Sequence, residues 1–261
     1  MIGAIIGDVV GSRFEFNNHK TKDFELITEE SEFTDDTVLT IAVMDWLLHA
    51  KPKSDATAVE YLQKWARKYP HAGYGGRFIY WIAKYNPQPY NSCGNGSAMR
   101  VSGVGWVSDD KNVTNFLANT ITEVTHNHPE GLKGAIVTAQ LILMARLGKS
   151  KAEMKMYAEQ FYNLNFNYDE LIKNYHHGEE TCQLTVPQAL YCFFLSNSFE
   201  DCLRTTVSIG GDTDTLCAIS CAIAEAYYDY IPEELIERVR EKLPLEMLDI
   251  IDEFKKKYGG N

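Results

Sequence analysis

Residues 31–50 read SEFTDDTVLTIAVMDWLLHA, an acidic and hydroxyl-bearing start followed by a helix-length run that is apolar nearly all round. A helix with one apolar stripe lies at a surface, whereas one that is apolar on every side has to be enclosed by other elements. The stretch therefore predicts a central helix over 36–50 with the rest of the chain packed around it. Its neighbours keep the helical spacing. In 55–69, Val59, Leu62, Trp65, Ala66 and Tyr69 recur at steps of three and four before Pro70 ends the pattern. Further helices are expected over 74–85, 113–125, 130–147, 151–163, 186–196, 199–208, 214–229, 232–242 and 245–257, and no convincing series of alternating strands is visible. The breaks are short and carry Gly, Asn, Pro or Asp, as compact helix connections do. The expected fold class is all-α: a compact single-domain orthogonal helical bundle over residues 1–261, with roughly a dozen helices. The charged tail IDEFKKKYGGN is read as a frayed helix end.

A chain of 261 residues with 45% hydrophobic residues can bury a sizeable core. With 36 acidic against 25 basic residues the formal net charge is −11. That balance argues against nucleic acid as a partner, because phosphate-backbone affinity comes from clustered Lys and Arg. An acidic surface favours cations or basic substrates instead. Cysteines at 93, 182, 192, 202, 217 and 221 contain no C-x-x-C pair, so neither a zinc nor a disulfide layout is present, and buried thiols in a reducing compartment are expected. MIGAIIGDVVGS lacks a basic flank and is broken by glycines and Asp8 well short of the ~20 apolar residues of a membrane span. A cytoplasmic protein without a membrane anchor is expected, with monomer as the default state.

The chemistry concentrates at helix starts. Thr34, Asp35 and Asp36 suit an N-cap, where side-chain oxygens accept from free backbone N–H groups and acids meet the positive end of the helix dipole. SIGGDTDTLCAISCAIAEAYY, residues 208–228, repeats the design with Asp212, Asp214 and Thr215 before another apolar run. One cap needs one such side chain, not three. Four carboxylates and two hydroxyls brought together would repel one another unless a cation neutralised them. Hard oxygen donors without His or thiolate suit Mg²⁺ or Mn²⁺, and six protein ligands are enough for two ions. NSCGNGSAMRVSGVGW, residues 91–106, adds a Gly-rich loop at Gly94, Asn95, Gly96 and Ser97, either an ordinary turn or a backbone cradle for an anion. Gly210 and Gly211 are open to the same two uses. His126 and His128 precede Pro129, a loop setting in which hydrogen bonding is commoner than catalysis, and His176 and His177 are read as surface residues.

GAIIGDVVGSRFEF (3–16), FTDDT (33–37), GNGSAMR (94–100), THNHPEG (125–131) and GGDTDT (210–215) together resemble the ADP-ribosylglycohydrolase family, which includes the dinitrogenase reductase-activating glycohydrolases. The resemblance implies a compact all-α fold with a binuclear centre of two Mg²⁺ or Mn²⁺ in a cleft, ligated by Thr34, Asp35, Asp36, Asp212, Asp214 and Thr215. It places Glu15 where the family carries a glutamate on a mobile loop near metals and substrate. The implied reaction is hydrolysis of the C1″ glycosidic bond between ADP-ribose and a protein side chain or small leaving group. Such cleavage passes through an oxocarbenium-like state and needs an acid–base group and a held sugar. Glu15 or Asp36 is expected to handle the proton, with Gly94, Asn95, Gly96, Ser97, Met99, His126, Gly210 and Gly211 against the substrate. An ADP-ribosylated protein or a small ADP-ribose conjugate is the expected partner. Ser92 and Cys93 stand where the arginine-specific branch has an aspartate before its Gly-Asn pair, a departure that points towards O-linked or free ADP-ribose derivatives. Two alternatives are a two-metal phosphohydrolase cleaving the diphosphate and a non-catalytic ADP-ribose-binding protein. The D-x-D-x-[T/V] phosphatase signature fails at Leu216 and has no strand before it.

Overall fold

The computed structural model describes residues 1–178 and 180–259. Fourteen α-helices form among them: α1 (Gly3–Gly11), α2 (Asp35–His49), α3 (Asp55–Lys68), α4 (Gly76–Ala83), α5 (Gly96–Met99), α6 (Lys111–Glu123), α7 (Pro129–Arg146), α8 (Lys151–Ala158), α9 (Tyr168–Asn174), α10 (Cys182–Leu195), α11 (Phe199–Ile209), α12 (Thr213–Tyr228), α13 (Glu233–Arg240) and α14 (Leu245–Tyr258). Beyond an isolated bridge between Gly94 and Thr181, the described residues contain no β-structure. The all-α expectation holds, and helical order in the tail reaches Tyr258 rather than fraying early. Its last two residues, Gly260 and Asn261, lie outside the described residues.

Three helices form the interior. Every residue of α2 from Asp36 to Leu48 is buried, which is the outcome its all-round apolarity requires. Most of α7 and nearly all of α12 are buried in the same way. The element that organises them was not expected from the sequence: α1 packs backbone to backbone on α12. Gly3, Gly7 and Gly11 recur every fourth residue and so line one face of α1. A Cβ on Gly3 would stand 2.6 Å from the Cys221 carbonyl and one on Gly11 2.6 Å from the Asp214 Cα, while one on Gly7 would overlap the Cys217 carbonyl. Three glycines cost an isolated helix about 1 kcal/mol each, which hides α1 from propensity reading. The close seating on α12 offsets that cost.

Two further differences have simple causes. The polar α9 buries none of its residues and so shows no apolar face in the sequence. The start of α10 lies at Cys182, four residues before the expected 186, because Pro187 is accommodated inside the helix, where it removes only its own N–H bond to the preceding turn. No helix among the described residues is long and apolar enough to cross a membrane. Five of the six cysteines are buried and Cys93 is partly so, in keeping with thiols serving as small core residues.

Candidate active site

The N-termini of α2 and α12 meet at the floor of a cleft of about 530 Å³. Thr34 caps α2, its hydroxyl oxygen 3.3 Å from the accepted Asp36 N–H, so the cap geometry expected from the sequence is present. The same residues also face the second cluster. Thr215 Oγ1 donates to Asp36 Oδ2 at 3.0 Å, and Thr34 Oγ1 lies 3.4 Å from Asp214 Oδ2. All six predicted oxygen-bearing residues, Thr34, Asp35, Asp36, Asp212, Asp214 and Thr215, line the cleft.

Asp8 joins them and was not singled out in the sequence. It is fully buried on α1, and its carboxylate accepts from the Thr34 N–H (2.9 Å), the Thr34 hydroxyl (2.7 Å), the Thr37 N–H (3.0 Å) and the Thr37 hydroxyl. The available signal was an ionisable residue in the middle of an otherwise apolar helix. Carboxylate oxygens of Asp8, Asp36 and Asp214 lie within 4.8 Å of one another, and those of Glu15, Asp212 and Asp214 do the same, so Asp214 belongs to both groups. Asp35 stands beside these triplets without completing either.

Electrostatics sets this floor apart. Among the described residues no Lys or Arg makes an ion pair with these acids, and only His177 reaches Glu15, at 3.4 Å. Burial, followed by repulsion from the neighbouring acids, pushes Asp35, Asp36 and Asp214 well above the usual carboxylate range. Asp8 is pushed up to about 6 by burial, against four hydrogen bonds that lower it. Glu15 is pushed up to about 7 by burial and by the charge of Asp212. Asp36 Oδ1 is buried without a hydrogen-bond partner among the described residues. Mutually repelling carboxylates without a Lys or Arg ion pair among the described residues, one of them with an orphaned oxygen, fit a divalent cation better than they fit a protein-only network.

The walls sort the remaining predicted residues. Gly94, Asn95, Gly96, Met99 and His126 line the cleft with Glu15. The Asn95 amide donates to Asp212 Oδ2 at 2.6 Å and to Thr185 at 3.1 Å, fastening the Gly-rich loop to the acidic one. Ser97 instead turns into the core, donating to the Gly94 carbonyl at 3.2 Å. Gly210 and Gly211 also stand behind the lining rather than in it. Both have positive φ, and a Cβ on either would collide with Lys20 or Tyr175. Asn18 clasps Gly211 through its N–H (2.8 Å) and its carbonyl (3.0 Å), and the same amide donates to the Phe14 and Glu15 carbonyls. The segment bearing Glu15 is thereby tied to the loop bearing Asp212, a link that no local pattern announces. His128 caps α7, accepting from the Glu130 N–H at 3.1 Å. His176 and His177 are exposed, as expected, but His177 also has a role at the cleft edge. Its ring is about one-third exposed but sits between Glu15 and Glu180 (3.1 Å), because the bridge from Gly94 to Thr181 draws the polar segment before α10 over the cleft edge.

An α-helical scaffold whose cleft floor gathers carboxylates, none ion-paired to Lys or Arg among the described residues, defines the class: a helical protein with an acidic cleft. The profile of the ADP-ribosylglycohydrolase family matches residues 1–260, and the chain belongs to that family and is a hydrolase of its glycosidase type. It is 26% identical to the ADP-ribosylhydrolase ARH3 of Homo sapiens over 89% of this chain and 86% of that protein. It is 23% identical to a Rhodospirillum rubrum glycohydrolase acting on ADP-ribosyl-dinitrogen reductase, over 96% and 92% of the two chains. The ADP-ribosylarginine hydrolase Tri1 of Pseudomonas putida is also 23% identical, over 95% and 76%. Among solved structures, an ADP-ribosylglycohydrolase-related protein complex superposes with a TM-score of 0.73 at 23% identity, covering 98% of this chain and 95% of that one, and so shares the fold.

Proposed function

We propose that this protein hydrolyses the C1″ glycosidic bond of ADP-ribose conjugates with two Mg²⁺ or Mn²⁺ ions held on the acidic floor. The observation that carries the proposal is the meeting of two carboxylate triplets through Asp214, with no Lys or Arg ion pair and with Asp36 Oδ1 unpaired among the described residues. Asp8, Asp36 and Asp214 would hold one ion and Asp212, Asp214 and Glu15 approach the other, with Asp35, Thr34 and Thr215 supplying further oxygens. Bound there, the ions would hold the ribose hydroxyls and draw electron density from a water molecule.

This chain's residues do the rest. Gly94 and Gly96 let the ligand approach the backbone, and Met99 and His126 complete the wall. Glu15 takes the proton of the attacking water while the water's oxygen bonds to C1″, and the bond from C1″ breaks with its electron pair going to the leaving atom, which takes up a proton from solvent. Burial removes water that would compete for the sugar. Ser92 at the rim, in place of an acid, supports O-linked or free ADP-ribose derivatives over guanidino linkages.

A panel of arginine-, serine- and nucleic-acid-linked ADP-ribose plus O-acetyl-ADP-ribose, run with Mg²⁺ and with EDTA, tests the proposal. Free ADP-ribose released from an O-linked substrate, and abolished by EDTA, is the expected result. AMP and ribose phosphate as products would point to diphosphate cleavage, and binding without turnover of any conjugate to a non-catalytic protein.

A further inference from the structure

Behind His126 runs a hydrogen-bond chain whose polarity follows atom by atom. Arg100 is fully buried in the cleft wall. Its Nη2 donates to the Ile121 carbonyl at 3.0 Å and to Thr125 Oγ1 at 2.7 Å, while Nε and Nη1 have no partner among the described residues. A guanidinium has no acceptor, so Thr125 Oγ1 accepts here and keeps one proton to donate. Two acceptors are within reach of that proton: the Thr122 carbonyl at 3.3 Å and His126 Nδ1 at 2.7 Å. The Thr122 carbonyl already receives the backbone N–H of Thr125 at 3.1 Å and of His126 at 2.8 Å, which occupies both of its lone pairs. Nδ1, at 2.7 Å against 3.3 Å, is the nearer of the two and the one not already engaged, so the geometry directs the hydroxyl proton towards it.

We infer that Arg100 and Thr125 are positioning residues that lock His126 as the neutral Nε2–H tautomer and present that N–H to the ligand as a donor. Nε2 faces the Gly-rich loop. A Cβ on Gly94 would stand 3.5 Å from it and one on Gly96 3.4 Å, so the two glycines keep the space in front of the nitrogen open. Burial, with the charges of Arg100 and Arg77, holds the ring well below the ordinary histidine range and opposes a second proton. His126 then offers the ligand one donor and no base. Its partner is an acceptor oxygen, that of a phosphate or a sugar hydroxyl. The inference rests on the proposed substrate only for the identity of that oxygen, since the tautomer follows from bonds within the protein.

Long-range ¹H–¹⁵N spectra of histidine-labelled protein in Mg²⁺ buffer at about pH 7 read the tautomer directly. The ring is assigned by the signals lost in His126→Gln. Expected are an unprotonated Nδ1 and a protonated Nε2, retained in Thr125→Ser and replaced in Thr125→Val by a tautomer mixture. A wild-type ring protonated at Nδ1, or Thr125→Val with an unchanged pattern, would overturn the assignment. Adding ADP-ribose is expected to shift the Nε2 proton. No shift, with the tautomer intact, would remove the donor role towards this ligand and leave the relay standing, so the two failures are separable.

Discussion

At Asp36 the exchange of one oxygen for nitrogen decides the chemistry. Oδ2 already receives the Thr215 hydroxyl, and Oδ1 has no partner among the described residues. Asp36→Asn keeps the shape and removes a charged oxygen from the proposed metal floor, as does Asp214→Asn in the residue shared by both triplets. Either substitution is expected to lower Mg²⁺-dependent turnover by about 10²–10³-fold, the usual cost of losing one group that stabilises charge in the transition state. Glu15→Gln is expected to lower kcat by about 10²–10⁴-fold, the range for a lost acid–base group. Steady-state kinetics on the responsive conjugate measures both. Unchanged turnover in Asp36→Asn would remove the metal assignment, and in Glu15→Gln the base assignment.

Between elements, the contact of α1 with α12 matters most, because it carries Asp8 to Asp214 and Asp36. Gly7→Ala places a methyl on the Cys217 carbonyl, which neither helix can turn aside. Overpacking of this kind costs about 1–3 kcal/mol, and for a chain of this size each kcal/mol lowers Tm by roughly 2–4 °C. Turnover should fall along with Tm, since separating the helices pulls the triplet apart. Gly76→Ala is the matched control. A Cβ there meets nothing within 4 Å, so a stability change within about 0.5 kcal/mol is expected. Thermal melting of the two variants side by side checks the pair, and equal Tm values would show that the helices are not in backbone contact.

For the molecule as a whole, the acidic floor links stability to pH and to metal. A carboxyl whose pKa is raised by folding binds its proton more tightly in the native state, so its contribution is fully present below the unfolded pKa and lost as pH rises through the folded one. For Asp8 that loss runs from 3.8 to about 6 and for Glu15 from 4.5 to about 7, while Asp35, Asp36 and Asp214 extend the trend in the same direction. Asp45 and Asp201, held low by partners such as Lys64 and Lys22, lose their contributions only as pH falls below the ordinary carboxylate range, outside this window. His126, held well below the ordinary histidine range by burial, acts in the opposite direction between these pH values, but one ring is outweighed by five carboxyls, so EDTA-treated protein is expected to melt lower at about pH 8 than at about pH 5. Mg²⁺ should reverse the difference, adding about 2.7 kcal/mol at a hundred times its Kd. Melting curves with EDTA that stay flat across this range would show that the acids are not crowded in solution as they are in the fold.

Much of this was legible in the linear chain. The all-round apolarity of 36–50 and 214–229 required interior helices, and hydroxyl and carboxylate triplets at their starts marked the site, because caps and helix period are local and leave local patterns. The glycine face of α1, the four hydrogen bonds of Asp8, the Asn18 clasp and the approach of His177 to Glu15 had no such pattern. Each depends on a partner far away in sequence, and a residue type has no distance until the packing of the chain supplies one. The sequence by itself determined that Thr34, Asp35, Asp36, Asp212, Asp214 and Thr215 stand at the starts of two interior helices. Only the tertiary structure decided that Asp214 joins both triplets, that Ser97, Gly210 and Gly211 support the cleft from behind, and that a buried arginine stands behind His126, since burial and proximity, the physical causes of those roles, exist only once α1, α2 and α12 are packed together.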